Sequence, residues 1–154
     1  MINRRLVRET VLQSIYAHQQ SGDTLQHIAD TIIKESVGGD KESRRFAERL
    51  FFLTIEHKDQ FDEIIIKHIQ NWEIKRLAMI DRMVLYMALC EFLYFDEIPT
   101  KVTINEAIEI AKKYSTANSG RFVNGILDSS LEELKNEGAI KKKGRGLIEN
   151  SIQK

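Results

Sequence analysis

Two short stretches of the chain place basic, polar and aromatic side chains where helices are predicted to begin. The first contains Arg4, Arg5 and Arg8, and the four-residue spacing puts Arg4 and Arg8 on one helix face. Cations at a helix N-terminus oppose the helix dipole, at a cost of about 0.3–1 kcal/mol each. The cluster therefore indicates either a phosphate-binding surface or a solvated helix start paired with Glu9. Gln13 and Tyr16 follow on the same helix, with a core-edge position as the alternative for the tyrosine.

The second stretch opens the last predicted helix and reads Asn118-Ser119-Gly120-Arg121-Phe122-Val123-Asn124. Amides at a helix N-terminus can hold an anion, and a glycine there lets a ligand approach the backbone closely. An aromatic ring beside an arginine suits the stacking of a nucleobase. The alternative for Phe122 is a core position. Two such stretches on one chain favour RNA binding over catalysis.

Residues typical of catalysis or metal binding are not arranged for either purpose in the sequence. The histidines, at positions 18, 27, 57 and 68, lack metal-ligand spacing with one another or with Cys90. No phosphate-binding loop, dinucleotide fingerprint or nucleophile motif occurs. The sequence therefore predicts a protein that is not an enzyme and that uses no metal and no cofactor.

Composition excludes several classes of protein. Lys+Arg and Asp+Glu both number 23, so the net charge is +0 and any RNA site must be a local basic patch. A single cysteine cannot form an internal disulfide, which fits a reducing cytoplasm. The most apolar run, residues 83–95, is far shorter than the ~20 residues of a membrane span. We therefore expect a cytoplasmic protein with no membrane association.

Apolar residues recur at helical spacing along most of the chain, which predicts an all-α fold of about seven helices. The spacing predicts a first helix over 4–20 and a second that begins after the Thr24 cap and ends at the break Gly38-Gly39-Asp40. A helical region over 41–69 follows, divided in two at 57–60. Three further helices are predicted over 76–95, 102–114 and 118–136. Thr103 and Glu106 have the spacing of a capping box. A connector with Trp72 is predicted at 71–75, and a short helix at 147–152.

The most specific motifs of the chain occur together in one known family. They are Arg4-Arg5 through Arg8-Glu9 with Leu12-Gln13 and Tyr16, then Ile80-Asp81-Arg82 with Leu85, Ile98-Pro99 with Lys101-Val102, Ile104-Asn105-Glu106-Ala107-Ile108-Glu109 with Lys112, and Phe122-Val123-Asn124-Gly125-Ile126-Leu127-Asp128. In these motifs the chain resembles the NusB family of bacterial transcription antitermination factors, over nearly all of residues 1–136. The resemblance implies two packed helical bundles, an N-terminal one over 1–70 and a C-terminal one over 76–136. Residues 137–154 fall outside it, and their basic, glycine-containing composition predicts a mobile tail.

The resemblance also implies a function and a set of partners. Members bind single-stranded boxA RNA of nascent ribosomal RNA transcripts together with the ribosomal small-subunit protein NusE, and join NusA and NusG on RNA polymerase. They occur as monomers or homodimers. The RNA surface implied here consists of Arg4, Arg5, Arg8, Gln13, Tyr16, Asn118, Ser119, Arg121, Phe122 and Asn124, and the NusE surface of Asp81, Arg82 and Leu85.

Two alternatives remain open at this stage. One is a helical protein-interaction module whose arginines are merely solvated. The other is the RNA-binding accessory domain of an RNA methyltransferase, without boxA specificity, although no catalytic domain follows in this sequence. One departure from the family also matters, because position 118 is Asn where many members have an acid, which removes a charge that would repel phosphate.

Overall fold

The computed structural model describes residues 2–69 and 77–148. Throughout these two ranges the regular elements are helices: eight α-helices, two of which (α2 and α3) are joined by a π-helical stretch, and a short 3-10 turn. This confirms the predicted all-α fold. The chain divides into two compact units, residues 1–56 and 57–154. No helix in the described part of the chain is both long and apolar enough to span a membrane.

The first unit is built on α1 (Arg4–Ser21) and α4 (Lys41–Glu56), which pack against each other. Between them run α2 (Leu25–Ile28), a π-helical stretch (Ala29–Ile33) and α3 (Lys34–Val37). Helix α1 begins where the Asn3 side chain accepts a hydrogen bond from the Arg5 amide, and it ends at Gly22, whose φ of 72° favours glycine. The core of the unit includes Val7, Val11, Ile33, Leu50 and Phe51. The predicted first helix and the break at 38–40 are confirmed.

The second unit contains α5 (Lys58–Ile66), α6 (Met79–Tyr94), α7 (Thr100–Tyr114) and α8 (Ser119–Asn136). Helix α6 is apolar around most of its circumference and buried along most of its length, as expected for a central helix. Helices α7 and α8 pack on it and on each other. The predicted split near 57–60 is confirmed, because α4 ends at Glu56 and α5 begins at Lys58.

Helix α5 packs against α6 in the second unit, whereas the sequence placed α5 in the N-terminal bundle. The Tyr94 hydroxyl donates to Oε1 of Gln60 at 2.7 Å, and the rings of His57 and Tyr94 stack at 4.4 Å. The Tyr86 hydroxyl donates to Asp62. These contacts move the boundary between the two units to residues 56 and 57. The connector predicted at 71–75, with Trp72, lies outside the described residues.

Helix α7 begins at Thr100, earlier than the predicted 102 or 103, with Pro99 before it. The predicted capping box is therefore wrong. Thr103 lies inside the first turn, where its hydroxyl donates to Oε1 of the buried Glu91 at 2.7 Å. A buried carboxylate from a neighbouring helix thus binds the hydroxyl that the sequence assigned to a local cap.

The basic segment after α8 differs from the expected mobile tail over the part that the structure describes. The Lys142 ammonium donates to the backbone oxygens of Glu91 and Phe95, at 3.0 and 2.7 Å. The Lys143 amide donates to the backbone oxygen of Asp96. A 3-10 turn follows at Gly144–Leu147, so most of the helix predicted at 147–152 falls outside the described residues.

Candidate nucleic-acid interface

The three arginines of α1 have different environments. The guanidinium carbon of Arg4 lies 3.9 Å from the centroid of the Phe46 ring, and that of Arg8 lies 5.6 Å from the same centroid. Arg8 is only 4% exposed, while Arg4 and Arg5 are exposed. The face shared by Arg4 and Arg8 is therefore the face that meets α4, and Arg8 acts in packing as well as in charge.

A second face of α1 carries exposed side chains suited to RNA. Arg5, Leu6, Gln13 and Tyr16 are all exposed, Tyr16 by 44%. At about 100° per residue, these four positions fall within an arc of about 100°. We call these four residues the α1 face. It combines a cation, an amide and an aromatic ring, and it places Tyr16 on the surface instead of at the core edge.

The second candidate surface is the start of α8. Asn118 precedes the helix and is exposed, and its side chain makes no capping hydrogen bond. Arg121 is exposed, and Phe122 and Asn124 are half-buried. We call Asn118, Arg121, Phe122 and Asn124 the α8 start. The ring of Phe122 is only half-buried, so it is partly accessible to a ligand and partly packed against the unit.

Ser119 supports the α8 start from inside the unit. It is 4% exposed, accepts a hydrogen bond from the Thr116 amide at 3.3 Å, and donates to Oδ2 of Asp81 at 3.0 Å. Its oxygen also lies 3.0 Å from the Ser115 hydroxyl. A buried serine has no surface to offer to RNA, so its role here is to fix the backbone from which Arg121 and Phe122 project.

Lys112 belongs to this surface, although sequence reasoning included it only in a family motif. A Cβ added at Gly120 would lie 2.8 Å from Cγ and 3.0 Å from Cδ of Lys112. The aliphatic stem of Lys112 therefore crosses the first turn of α8, and its ammonium remains exposed, 3.4 Å from Glu109. The signal in the sequence was the glycine, since only a residue without a side chain lets the lysine cross so closely.

The predicted partner residues lie on α6, and the structure buries two of the three. Asp81 is 8% exposed and bonded to Ser119, and Leu85 is 0% exposed. Arg82 is half-buried. The resemblance to the NusB family placed all three on a partner surface, but α6 is a central helix and most of its residues pack inward. In this conformation Arg82 retains accessible surface, while Asp81 and Leu85 support the region from inside.

No group of three or more metal-binding side chains occurs among the described residues.

The candidate RNA-binding residues form two surfaces, one in each unit. Arg5, Gln13 and Tyr16 come together on the α1 face, and Arg121, Phe122 and Asn124 come together at the α8 start. The same cation, amide and aromatic chemistry occurs on both.

Comparison with known proteins identifies the family. A model of the NusB family matches residues 5–132, which include both surfaces. The chain belongs to the NusB family. A relative from Salinibacter ruber, named transcription antitermination protein NusB, is 46% identical over 148 residues that cover 96% of this chain and 92% of the relative.

Solved structures agree with this assignment. The fold is similar to that of T. maritima NusB, with a TM-score of 0.79 and 38% identity, over 86% of this chain and 92% of that one. It is also similar to a chain in the crystal structure of the antitermination factors NusB and NusE in complex with double-stranded RNA. There the TM-score is 0.76 and the identity 23%, over 84% of this chain and 96% of that one, so this likeness concerns the fold.

Proposed function

We propose that this protein is a transcription antitermination factor that binds single-stranded boxA RNA of nascent ribosomal RNA transcripts together with NusE. In this role it joins RNA polymerase with NusA and NusG, acts in the cytoplasm as a monomer or homodimer, and catalyses no reaction. The observation that carries the RNA part is the exposure of Arg5, Gln13 and Tyr16 on one face of α1. Membership of the NusB family supports the antitermination part.

In the proposed mode of RNA recognition, basic side chains contact phosphates and aromatic side chains stack on bases. Arg5, Arg121 and Lys112 carry exposed cations that contact phosphates and supply affinity without sequence preference. Tyr16 and Phe122 offer ring faces on which unpaired bases stack, a contact worth about 1–3 kcal/mol each.

Amide side chains complete the proposed RNA surface by reading base edges. Gln13, Asn118 and Asn124 each offer one acceptor and two donor hydrogens. Such readout requires splayed, single-stranded bases, since the major groove of an RNA duplex is too narrow for side chains. In this proposal Arg4 and Arg8 support the α1 face by packing against Phe46, and Ser119 supports the α8 start through its bond to Asp81.

The proposed partner surface surrounds Arg82 on α6. Asp81 and Leu85 hold this part of the helix from the inside, through the Ser119 hydrogen bond and through core packing. The structural neighbour that was crystallised with NusE and double-stranded RNA makes NusE the first partner to test. Arg82→Glu should weaken NusE binding in calorimetry while the melting temperature stays within a few degrees. Normal NusE affinity would place the partner surface elsewhere.

A titration with three RNAs tests the proposed function. The RNAs are single-stranded boxA, a scrambled strand of the same composition, and boxA paired with its complement, each with and without NusE. We expect boxA alone to bind more tightly than the other two, and NusE to increase that difference. Equal affinity for boxA and scrambled RNA would instead favour a protein-interaction module with solvated arginines.

A double variant and a control variant test whether the α1 face is responsible for boxA affinity. Arg5→Ala combined with Tyr16→Ala should lose boxA affinity at every salt concentration. Lys34→Ala is the matched control, since Lys34 is an exposed cation on α3, outside both surfaces. An equal loss in both variants would mean that only overall charge matters, and the specific role of the α1 face would be wrong.

A further inference from the structure

The last turn of α8, the residues that follow it and the start of α7 line an open cleft of about 520 Å³ in the second unit. This volume is within the range of roughly 300–1,000 Å³ that ligand-binding clefts occupy. It is lined by Thr100, Lys135, Ile140, Lys141, Lys142, Lys143, Gly146 and Leu147. Four of these eight residues are lysines and none is acidic. All of them except Thr100 lie beyond residues 5–132, where the NusB family model matches.

One wall of the cleft is fixed by bonds to the end of α6. The Lys142 ammonium donates to the backbone oxygens of Glu91 and Phe95, where the helix dipole is negative. The Lys143 amide donates to the Asp96 oxygen at 3.1 Å. A Cβ at Gly146 would lie 2.0 Å from that same oxygen, so the close approach requires glycine. Lys142 thus holds the wall, and its ammonium is bonded to backbone carbonyls.

The other three lysines give the cleft its charge. Lys135, Lys141 and Lys143 are exposed, and each lines the cleft. Helix α7 begins at its rim with no acidic residue in the first turn. Like charges gathered around a concave surface focus a positive potential, even on a protein whose net charge is +0. Lysine ammonium groups are flexible point charges and are common ligands of phosphate groups.

We propose that this lysine cleft, defined by Thr100, Lys135, Lys141 and Lys143, binds phosphate groups of RNA that flanks the boxA element. The binding is independent of sequence and lengthens the RNA footprint beyond the α1 face and the α8 start. The inference rests on the proposed function only in taking RNA as the source of the phosphates. Free inorganic anions offer the same chemistry and form a separate arm of the test.

The experiment compares boxA RNA alone with boxA RNA that carries unstructured single-stranded extensions on both sides. The variant is Lys141→Gln with Lys143→Gln, and the matched control is Lys34→Gln with Lys41→Gln, which removes two exposed cations from the first unit. We expect the log–log salt slope of the extended RNA to fall by about 1.4 in the cleft variant, at about 0.7 per lost phosphate contact. The short RNA and the control variant should show no such change.

Several outcomes would overturn the proposal. One is an unchanged salt slope for the extended RNA in the cleft variant, and another is an equal loss in the control. Pyrophosphate provides the anion arm. If it binds the wild-type cleft tightly and the extensions add no affinity, the cleft is a site for small anions. If boxA and scrambled RNA bind equally but extensions still add affinity through Lys141 and Lys143, the proposed function fails while the cleft stands.

A second variant tests the wall and not the charge. Lys142→Met removes the bonds to Glu91 and Phe95 but leaves Lys135, Lys141 and Lys143 in place. Hydrogen exchange should rise over residues 140–147, and the extra affinity of the extended RNA should fall. Retention of that affinity with raised exchange would show that the lysines act as a flexible basic segment, and the cleft assignment would be wrong.

Discussion

The Ser119 hydroxyl donates a hydrogen bond to Oδ2 of Asp81 at 3.0 Å and so joins the start of α8 to the first turn of α6. Both residues are buried, and Oδ1 of Asp81 has no hydrogen-bond partner among the residues that the structure describes. An acid that the sequence assigned to a protein partner therefore supports the surface proposed for RNA. The proposed RNA surface and the proposed partner surface of the second unit therefore share one buried contact.

Removal of that contact should affect both stability and RNA binding. Ser119→Ala leaves the buried Asp81 carboxylate without its donor, which should lower the free energy of unfolding by about 1–3 kcal/mol. The α8 start should lose its fixed geometry, and boxA affinity should fall with it. Urea unfolding and an RNA titration measure the two effects.

Ser129→Ala is the matched control for this prediction. Ser129 lies on the same helix, is exposed, and donates only to carbonyl oxygens of its own helix, those of Gly125 and Ile126. Its loss should change neither stability nor affinity by much, since surface substitutions stay within about 0.5 kcal/mol. If Ser119→Ala matched this control in both assays, the Asp81 contact would have no supporting role.

The sequence predicted the helices well because their signal is local. Apolar residues at helical spacing, the Thr24 cap and the 38–40 break define most boundaries without reference to the rest of the chain. The same reasoning correctly placed Arg4 and Arg8 on one face of α1. It could not show that this face meets the ring of Phe46, because that ring comes from another helix.

Buried polar partners were the main source of error. Thr103 pairs with Glu91, Ser119 with Asp81, and Lys142 with two carbonyls at the end of α6. Each of these partners is distant in sequence, so a pattern of local spacing gives no hint of it. Local motifs therefore suggested a capping box at Thr103 and a mobile tail around Lys142, and they gave no indication that Ser119 bonds to Asp81.

The arginines of α1 should separate into an RNA contact and a packing contact. Arg5→Ala should reduce the salt slope of RNA binding by about 0.7, the value for one single-strand phosphate contact, with little change in stability. Arg8→Ala should instead lower stability by about 0.5–2 kcal/mol, since it removes a buried cation–π contact with Phe46. Salt-dependent titration and thermal unfolding of both variants test this division.

Cations at a helix N-terminus oppose the helix dipole, so the sequence alone predicts that Arg4→Ala with Arg8→Ala would spare folding. The contacts of both residues with Phe46 reverse that expectation. Phe46→Leu offers a check, because it removes the ring but keeps an apolar side chain. If Arg8 acts through the ring, Arg8→Ala should cost less in the Phe46→Leu background than in the wild type. Additive losses would show that the two residues act independently.

Substitution by alanine should have opposite effects at the two glycines of α8, Gly120 and Gly125. Gly125 has open space where a Cβ would lie, so Gly125→Ala should stabilise the helix by about 0.5–1 kcal/mol. At Gly120 the Cβ would meet the stem of Lys112 at 2.8 Å and Cγ2 of Ile108 at 3.3 Å. Gly120→Ala should therefore displace Lys112, cancel the gain in helix propensity and weaken RNA binding.

Paired measurements of melting temperature and boxA affinity test the two glycine variants. Gly125→Ala serves as the control, since it alters the same helix without touching Lys112. Lys112→Gln should reproduce the loss of RNA affinity with little change in stability. Unchanged RNA binding in Gly120→Ala would remove Lys112 from the proposed surface.

Tyr86 should make the second unit sensitive to high pH. Burial, together with the hydrogen bond to Asp62, raises the pKa of the Tyr86 phenol well above its ordinary value of 10.0. Above that pH the unfolded chain releases the phenolic proton while the folded chain retains it, so stability falls as pH rises. The stability difference between wild type and Tyr86→Phe should shrink from about pH 9 to about pH 11. Urea unfolding at several pH values measures it, and a constant difference would contradict the assignment.

Phe122 should contribute more to RNA binding than to stability. A base stacked on the ring is worth about 1–3 kcal/mol, whereas truncation of a fully buried phenylalanine costs about 3–5 kcal/mol of stability. The ring is half-buried beside the exposed Arg121, so Phe122→Ala should lose at least tenfold in boxA affinity, or about 1.4 kcal/mol, with a smaller loss of stability.

The neighbouring residue Val123 provides the control for Phe122, because it is fully buried and faces the core. Val123→Ala should lower the melting temperature clearly, while boxA affinity measured at low temperature stays near that of the wild type. Phe122→Leu separates the two roles of the ring, since leucine can pack in the same place but offers no face for stacking. It should keep most of the stability and fail to restore RNA binding. If it restored both, Phe122 would be a packing residue, and the α8 start would depend on Arg121 and its neighbouring amides for RNA contact.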